Sequence, residues 1–241
     1  MNRKSLTRVI VFMFLSCFLG SQTAMGYSTL SKNDEKVIYL TFDDGPSVMT
    51  DKVLDILKKN GVKATFFLIG NQIKGYEDMV KRIYTEGNNI GLHTYTHTYN
   101  KIYSSRQGFI SEMLKSQSEI SSIIGVKPTI IRFPSGSSKH LTKAFLEELH
   151  GYNFKVYDWN VVMSDGVNCN TPPDKLYREA TKTTITAHPI ILLMHCDYMH
   201  KNTCKALPRV IKYYKDNGYK FKTINDKTPE IYFPIKNKRI S

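Results

Sequence analysis

The feature that most limits the folds open to this chain is an alternation that runs through most of its length. Short apolar runs ("VIYLTF", "KATFFLI", "NIGLH", "TIIRF", "FKVYDW", "PIILLMH" and "YKFKTI") take turns with longer segments of helical periodicity. In the longest of these, "SSRQGFISEMLKSQSEISSIIG", the apolar residues Ile110, Met113, Leu114, Ile120, Ile123 and Ile124 fall along one face. Strands that are apolar almost throughout are buried on both faces, which predicts a parallel sheet covered by helices. Seven or so such units with no linker-like tract predict a single barrel-like α/β domain.

The two ends read differently. Residues 1–26 open with the basic "MNRKSLTR", continue with the apolar "VIVFMFLSCFLG" and close on the small residues of "SQTAMG", the layout of a signal peptide cleaved after Gly26. The apolar run is short of the roughly 20 residues a spanning helix needs, so the mature protein is expected to have no membrane span and to be secreted or wall-associated. Residues 27–36 read as a short polar leader, 37–226 as the main domain and 227–241 as a basic tail. Removing Arg3, Lys4 and Arg8 with the signal lowers the formal net charge from +13 to +10. Basic residues are not interleaved with aromatics, so nucleic acid is not indicated. The charge fits either attraction to an anionic envelope or a Lys-rich soluble surface. The mature chain keeps three cysteines, Cys169, Cys196 and Cys204. An odd number leaves at least one thiol free or paired between chains, and Cys196 with Cys204 could close a short loop.

Polar clusters follow the ends of four apolar runs, the edge where parallel α/β barrels build active sites. Asp43 and Asp44 follow "VIYLTF". His93 and His97 stand in H-x3-H spacing within "LHTYTHTY", able to converge on one ion from a helical turn or a tight loop. Joined to one carboxylate they make a two-His, one-carboxylate set suited to a catalytic Zn²⁺. The second aspartate then stays free to take a proton from the attacking water. Arg132, in "IRFPSGSS", is placed to pair with that free carboxylate, or is an ordinary surface Arg at a strand exit. Pro134 and Gly136 shape a turn whose N–H groups could meet an oxyanion. Trp159, the only tryptophan, reads as a core residue by default. Asp165 could orient a histidine. His195 emerges from "ILLM" as a candidate general acid.

In this order "TFDDGPS", "HTYTH", "RFPSG", "DWNVVMSDG" and "LMH" resemble the five motifs of polysaccharide deacetylases of the NodB-homology carbohydrate esterase type. The resemblance spans roughly residues 36–224. It implies a distorted, partly open (β/α) barrel of about seven strands. It implies Asp43 as catalytic base, with Asp44, His93 and His97 binding a metal, usually zinc, with another divalent ion such as Co²⁺ as the alternative. It gives Arg132 the role of positioning Asp43, the Ser135 N–H an oxyanion role, Leu193 the acetyl pocket, His195 the general acid and Asp165 its tuning. Trp159 falls in the substrate site. Three departures stand out: Ser135 where many relatives carry Tyr, and Val162 and Gly166 where relatives often carry Asp and Trp. The expected activity is N-deacetylation of a β-1,4-linked N-acetylated glycan, peptidoglycan first, by a monomer. Chitin-like polymers and O-acetyl esters are alternatives on the same apparatus. A non-catalytic glycan-binding protein is the reading from another class, and it should lack Asp43, a metal ligand or His195.

Overall fold

The computed structural model describes residues 35–182 and 189–235. The expected signal peptide and all but the last residues of the leader lie outside them, as does the end of the basic tail. No helix among the described residues is long and apolar enough to cross a membrane.

Among the described residues, eight strands form one curled parallel sheet, ordered β5-β4-β3-β2-β1-β7-β6, with β8 also on β1. They are β1 (Val37–Gly45), β2 (Thr65–Leu68), β3 (Asn89–Leu92), β4 (Ile130–Ile131), β5 (Lys155–Val156), β6 (Val161–Val162), β7 (Ile190–His195) and β8 (Lys220–Lys222). β8 takes Val37–Tyr39, upstream of the Thr41–Gly45 stretch that pairs with β2. The sheet ends at β5 and β6 do not pair with each other, so the barrel is partly open, as expected. Residues beyond 226 run along the β5 edge instead: Tyr157 bridges Ile231, and the Asp158 N–H donates to the Ile231 carbonyl at 2.7 Å.

The helices are α1 (Val48–Lys59), α2 (Glu77–Thr85), α3 (Tyr99–Ile102), α4 (Arg106–Ile124), α5 (Lys143–Gly151), α6 (Pro173–Thr181) and α7 (Lys201–Asp216). Local chemistry sets their limits. Ser47 and Thr50 form a capping box at the start of α1, satisfying amides that the first turn leaves unpaired. Ser105 caps α4 and Gly125, at φ 71°, ends it in the left-handed region. α7 begins four residues before the "KALPRV" stretch expected to open it, and Thr203 in its first turn donates to Asp165 at 2.9 Å.

Period-two alternation along β1 sorts the interior into layers. Ile38, Leu40 and Phe42 face the helices and belong to the main core. Tyr39, on the opposite side, joins Phe67, Ile130, Tyr157, Ile191 and Ile224 in a small plug inside the barrel. Above that plug Thr41 and then Asp43 continue the same inner face, both buried. One strand thus carries an apolar floor, a hydroxyl and a carboxylate in ascending order toward the open end.

Candidate active site

A regular strand cannot aim two adjacent carboxylates at one place, since neighbours point to opposite faces. β1 solves this with an irregularity. Its register against β2 slips between Asp43 and Gly45, and Asp44 adopts φ 67°. The strand therefore does not end at the aspartates, as the apolar run implied, but bulges through them. Both side chains then face His93: its Nε2 lies 3.4 Å from Asp44 Oδ1 and 3.7 Å from Asp43 Oδ2.

His93 leaves the end of β3, and His97 follows through a loop rather than a helical turn. Thr94 and His97 both have positive φ, 67° and 52°. Such backbone costs of order 1–3 kcal/mol per residue and persists where surroundings hold it. Glu112 of α4 supplies that hold, accepting from the Tyr95 N–H at 3.0 Å, the Thr96 N–H at 2.6 Å and the Thr96 hydroxyl at 3.0 Å. The result places His97 Nε2 3.5 Å from Asp44 Oδ1.

Lone-pair accounting identifies what this cluster wants. His93 Nδ1 lies 3.0 Å from the Arg132 carbonyl and must donate to it, which leaves Nε2 as the acceptor. Burial pushes the His93 pKa down against the attraction of Asp43 and Asp44, favouring that neutral ring. Asp44 Oδ1, buried, receives no hydrogen bond. Two acceptors, His93 Nε2 and Asp44 Oδ1, face each other across 3.4 Å, with His97 Nε2 3.5 Å from the same oxygen, and a cation between them would satisfy all three. Two imidazole nitrogens and a carboxylate oxygen fit a divalent metal with positions left for water and substrate.

Asp43 is bound differently. Fully buried Arg132 donates from Nη1 to Asp43 Oδ1 at 2.9 Å and to Thr41 at 2.7 Å. Its Nε and Nη2 are fixed by the carbonyls of Tyr157 at 2.9 Å and Asp158 at 3.1 Å, and its guanidinium lies 4.1 Å over the Phe67 ring. The alternative of a surface Arg is excluded. Held by one oxygen, Asp43 presents Oδ2 toward His93 and the metal cluster.

His195 is the direct register partner of Asp43 across β1 and β7, so the two proton-transfer candidates flank the same point. Its Nδ1 lies 3.0 Å from Asp165 Oδ1. Burial works against the charged ring, but the Asp165 hydrogen bond and charge, with Asp43 and Asp44 beyond, outweigh it and raise the pKa to about 9. Asp165 is itself locked by the His195 amide at 2.9 Å, the Gly166 amide at 2.8 Å and the Thr203 hydroxyl at 2.9 Å.

With this geometry in place, residues 31–154 match the polysaccharide deacetylase family. A peptidoglycan-N-acetylglucosamine deacetylase of Bacillus cereus is 35% identical over 211 residues, covering 86% of this chain and 75% of its own. The chain belongs to the polysaccharide deacetylase family. It is therefore a hydrolase. The crystal structure of the polysaccharide deacetylase Bc1974 from Bacillus cereus superposes with a TM-score of 0.75 at 33% identity, over 86% of this chain and 98% of that one. The catalytic domain of a peptidoglycan N-acetylglucosamine deacetylase from Eubacterium rectale gives 0.77 at 28%, over 87% and 98%.

In this deacetylase the departures from the family motifs acquire physical content. Gly166 lies under the His195 ring: a Cβ there would come within 2.3–2.8 Å of three imidazole atoms, so the imidazole occupies space a larger residue would need. Val162, at the end of β6, is 48% exposed. Ser135 holds φ 62° and its hydroxyl is hydrogen-bonded to that of Tyr99. Leu193 is buried two residues before His195, and Trp159 packs edge-on to Phe233 with ring centroids 5.1 Å apart. Cys169, Cys196 and Cys204 are free thiols.

Sequence reading missed a buried carboxylate. Asp158 accepts from the Ser137 amide at 3.0 Å, the Ser137 hydroxyl and the Phe233 amide at 2.7 Å, tying the Ser135–Ser137 turn to the segment beyond residue 226. It also missed His200, which meets the Asp165 carbonyl at 3.2 Å and Asp197 at 2.7 Å. The only available signal was their position beside strand ends.

Proposed function

We propose that this chain is a zinc-dependent, exported N-deacetylase of peptidoglycan N-acetylglucosamine, acting as a monomer and releasing acetate. The observation that carries the metal is the buried Asp44 Oδ1 without a donor, facing two imidazole nitrogens. A divalent ion held by Asp44, His93 and His97 would polarise the acetamide carbonyl and lower the pKa of water at the site, zinc being the ion best suited and Co²⁺ a substitute.

The chain's own groups do the rest. Asp43, steered by Arg132, takes the proton of the attacking water through its free oxygen. The Ser135 N–H, on a turn that Asp158 fixes, donates to the oxyanion that develops on the acetyl carbon. Leu193 supports the apolar side of the acetyl site. His195, protonated at neutral pH because Asp165 holds its pKa near 9, gives its proton to the departing amine. The substrate follows from the relatives' printed activity, and export from the amino-terminal layout and basic charge.

The test is mass spectrometry of peptidoglycan fragments after incubation with the zinc-loaded protein. Acetyl loss confined to N-acetylglucosamine is expected. Loss on N-acetylmuramic acid alone, or from N-acetylglucosamine oligomers but not peptidoglycan, would refute the substrate assignment.

A further inference from the structure

Tyr99 stands two residues past His97 at the start of α3 and takes no part in the chemistry above. It is nonetheless held in place. Its hydroxyl is hydrogen-bonded to Ser135. Its ring meets His97 edge-on, with centroids 5.8 Å apart at 88°, and Tyr103 at 5.8 Å and 61°. Tyr103 is anchored in turn by donating to the Pro134 carbonyl at 2.6 Å. Even so, Tyr99 remains 48% exposed. A large ring pinned at its edge and tip, with about half its surface in water, is arranged to meet something from outside.

Its position says what. Across the Ser135-Gly136 turn the space at Gly136 is closed by Trp159 and Phe233, whose rings would lie 3.1 and 2.7 Å from a Cβ there. The turn thus lies between aromatic side chains, with Tyr99 on the His97 side. A β-linked N-acetylglucosamine carries its substituents equatorially and so offers a flat apolar C–H face. A tyrosine ring supplies matching area at low entropic cost, and one already immobilised has less freedom to lose on binding.

We infer that Tyr99 is a saccharide-binding residue, its ring meeting the apolar face of an N-acetylglucosamine unit on the His97 side of the Ser135-Gly136 turn. The identity of the sugar rests on the function proposed above. The contact deepens that reading by naming where the chain holds its polymer.

The experiment is calorimetric binding of a β-1,4-linked N-acetylglucosamine tetramer to zinc-loaded protein carrying Asp43→Asn, which stops turnover. Adding Tyr99→Ala should weaken binding about tenfold, and Tyr99→Phe, which keeps the ring, by less than about threefold, with zinc content unchanged in both. Equal losses for Phe and Ala would assign the effect to the hydroxyl on Ser135 and overturn the inference. So would unchanged affinity in the Ala variant, or loss of its zinc, which would make Tyr99 a prop for His97. Wild-type protein that releases no acetate but binds the tetramer through Tyr99 would sink the proposed reaction and leave the sugar contact standing. No binding by the parent protein would overturn the inference alone, since the reaction is judged by acetyl loss from peptidoglycan.

Discussion

Two Asp-His-His clusters lie at the same end of this sheet, alike in composition and opposite in chemistry. In each, ligand atoms sit within 4.8 Å of one another. Around Asp165, His195 and His200 every carboxylate oxygen is already bonded, to two amides, a ring N–H and a hydroxyl. Around Asp44, His93 and His97 the facing oxygen has no donor. The first cluster is built to keep a proton on an imidazole, the second to receive a cation. Proximity of histidines and carboxylates does not separate the two cases; the count of satisfied lone pairs does.

The comparison breaks most visibly at its centre. Asp43→Asn should reduce turnover by about a thousandfold while zinc stays bound, since a positioned general base contributes about 10²–10⁴. His93→Ala should lose zinc and activity together. Near-normal turnover by Asp43→Asn, checked with metal analysis on the same samples, would show that the two aspartates have been given the wrong roles.

A more moderate effect is expected on the acid side. His195 must be charged to donate, so activity should be retained below its pKa and fall as pH rises through about 9. A cation on Asp44 cancels part of the attraction that raises this value, so the limb measured with zinc lies at or somewhat below it. Asp165→Asn should move the alkaline limb of kcat/KM down toward the ordinary 6.5. An unmoved limb would mean that Asp165 does not hold the proton.

The smallest effect sharpens the contrast. His200→Ala should leave zinc at one per chain by titration, because its cluster has no acceptor to spare. A second zinc in the wild type that disappears in this variant would erase the distinction drawn between the clusters.

Much of this was open to reading in the sequence, and the reasons for the rest are physical. The strand–helix alternation and the polar groups at strand ends depend on local pattern, and they point to Asp43, Asp44, His93, Arg132 and His195 at one edge, with His97 added by its spacing from His93 and Asp165 read apart from any strand end. β5 and β6 span two residues each, too short for any period to register, so "FKVYDW" overstated one and the other went unread. The bulge at Asp44 depends on how β1 meets β2, not on either alone. Glu112 looks like any polar residue of an amphipathic helix until the loop it clamps is folded against it. Asp158 gains its meaning from Phe233, 75 residues away.

The sheet order also fixes when the protein can begin to work. β1 is the first strand among the described residues yet pairs with β7, and Thr41 finds its Leu192 acceptor 151 residues later. His195, the register partner of Asp43, therefore arrives only with β7, and contacts so distant in sequence close late and slowly. A growing chain, or one cut before β7, carries Asp43, Asp44, His93 and His97 but lacks His195. The proposed chemistry thus waits until β7 has been made and has folded against β1.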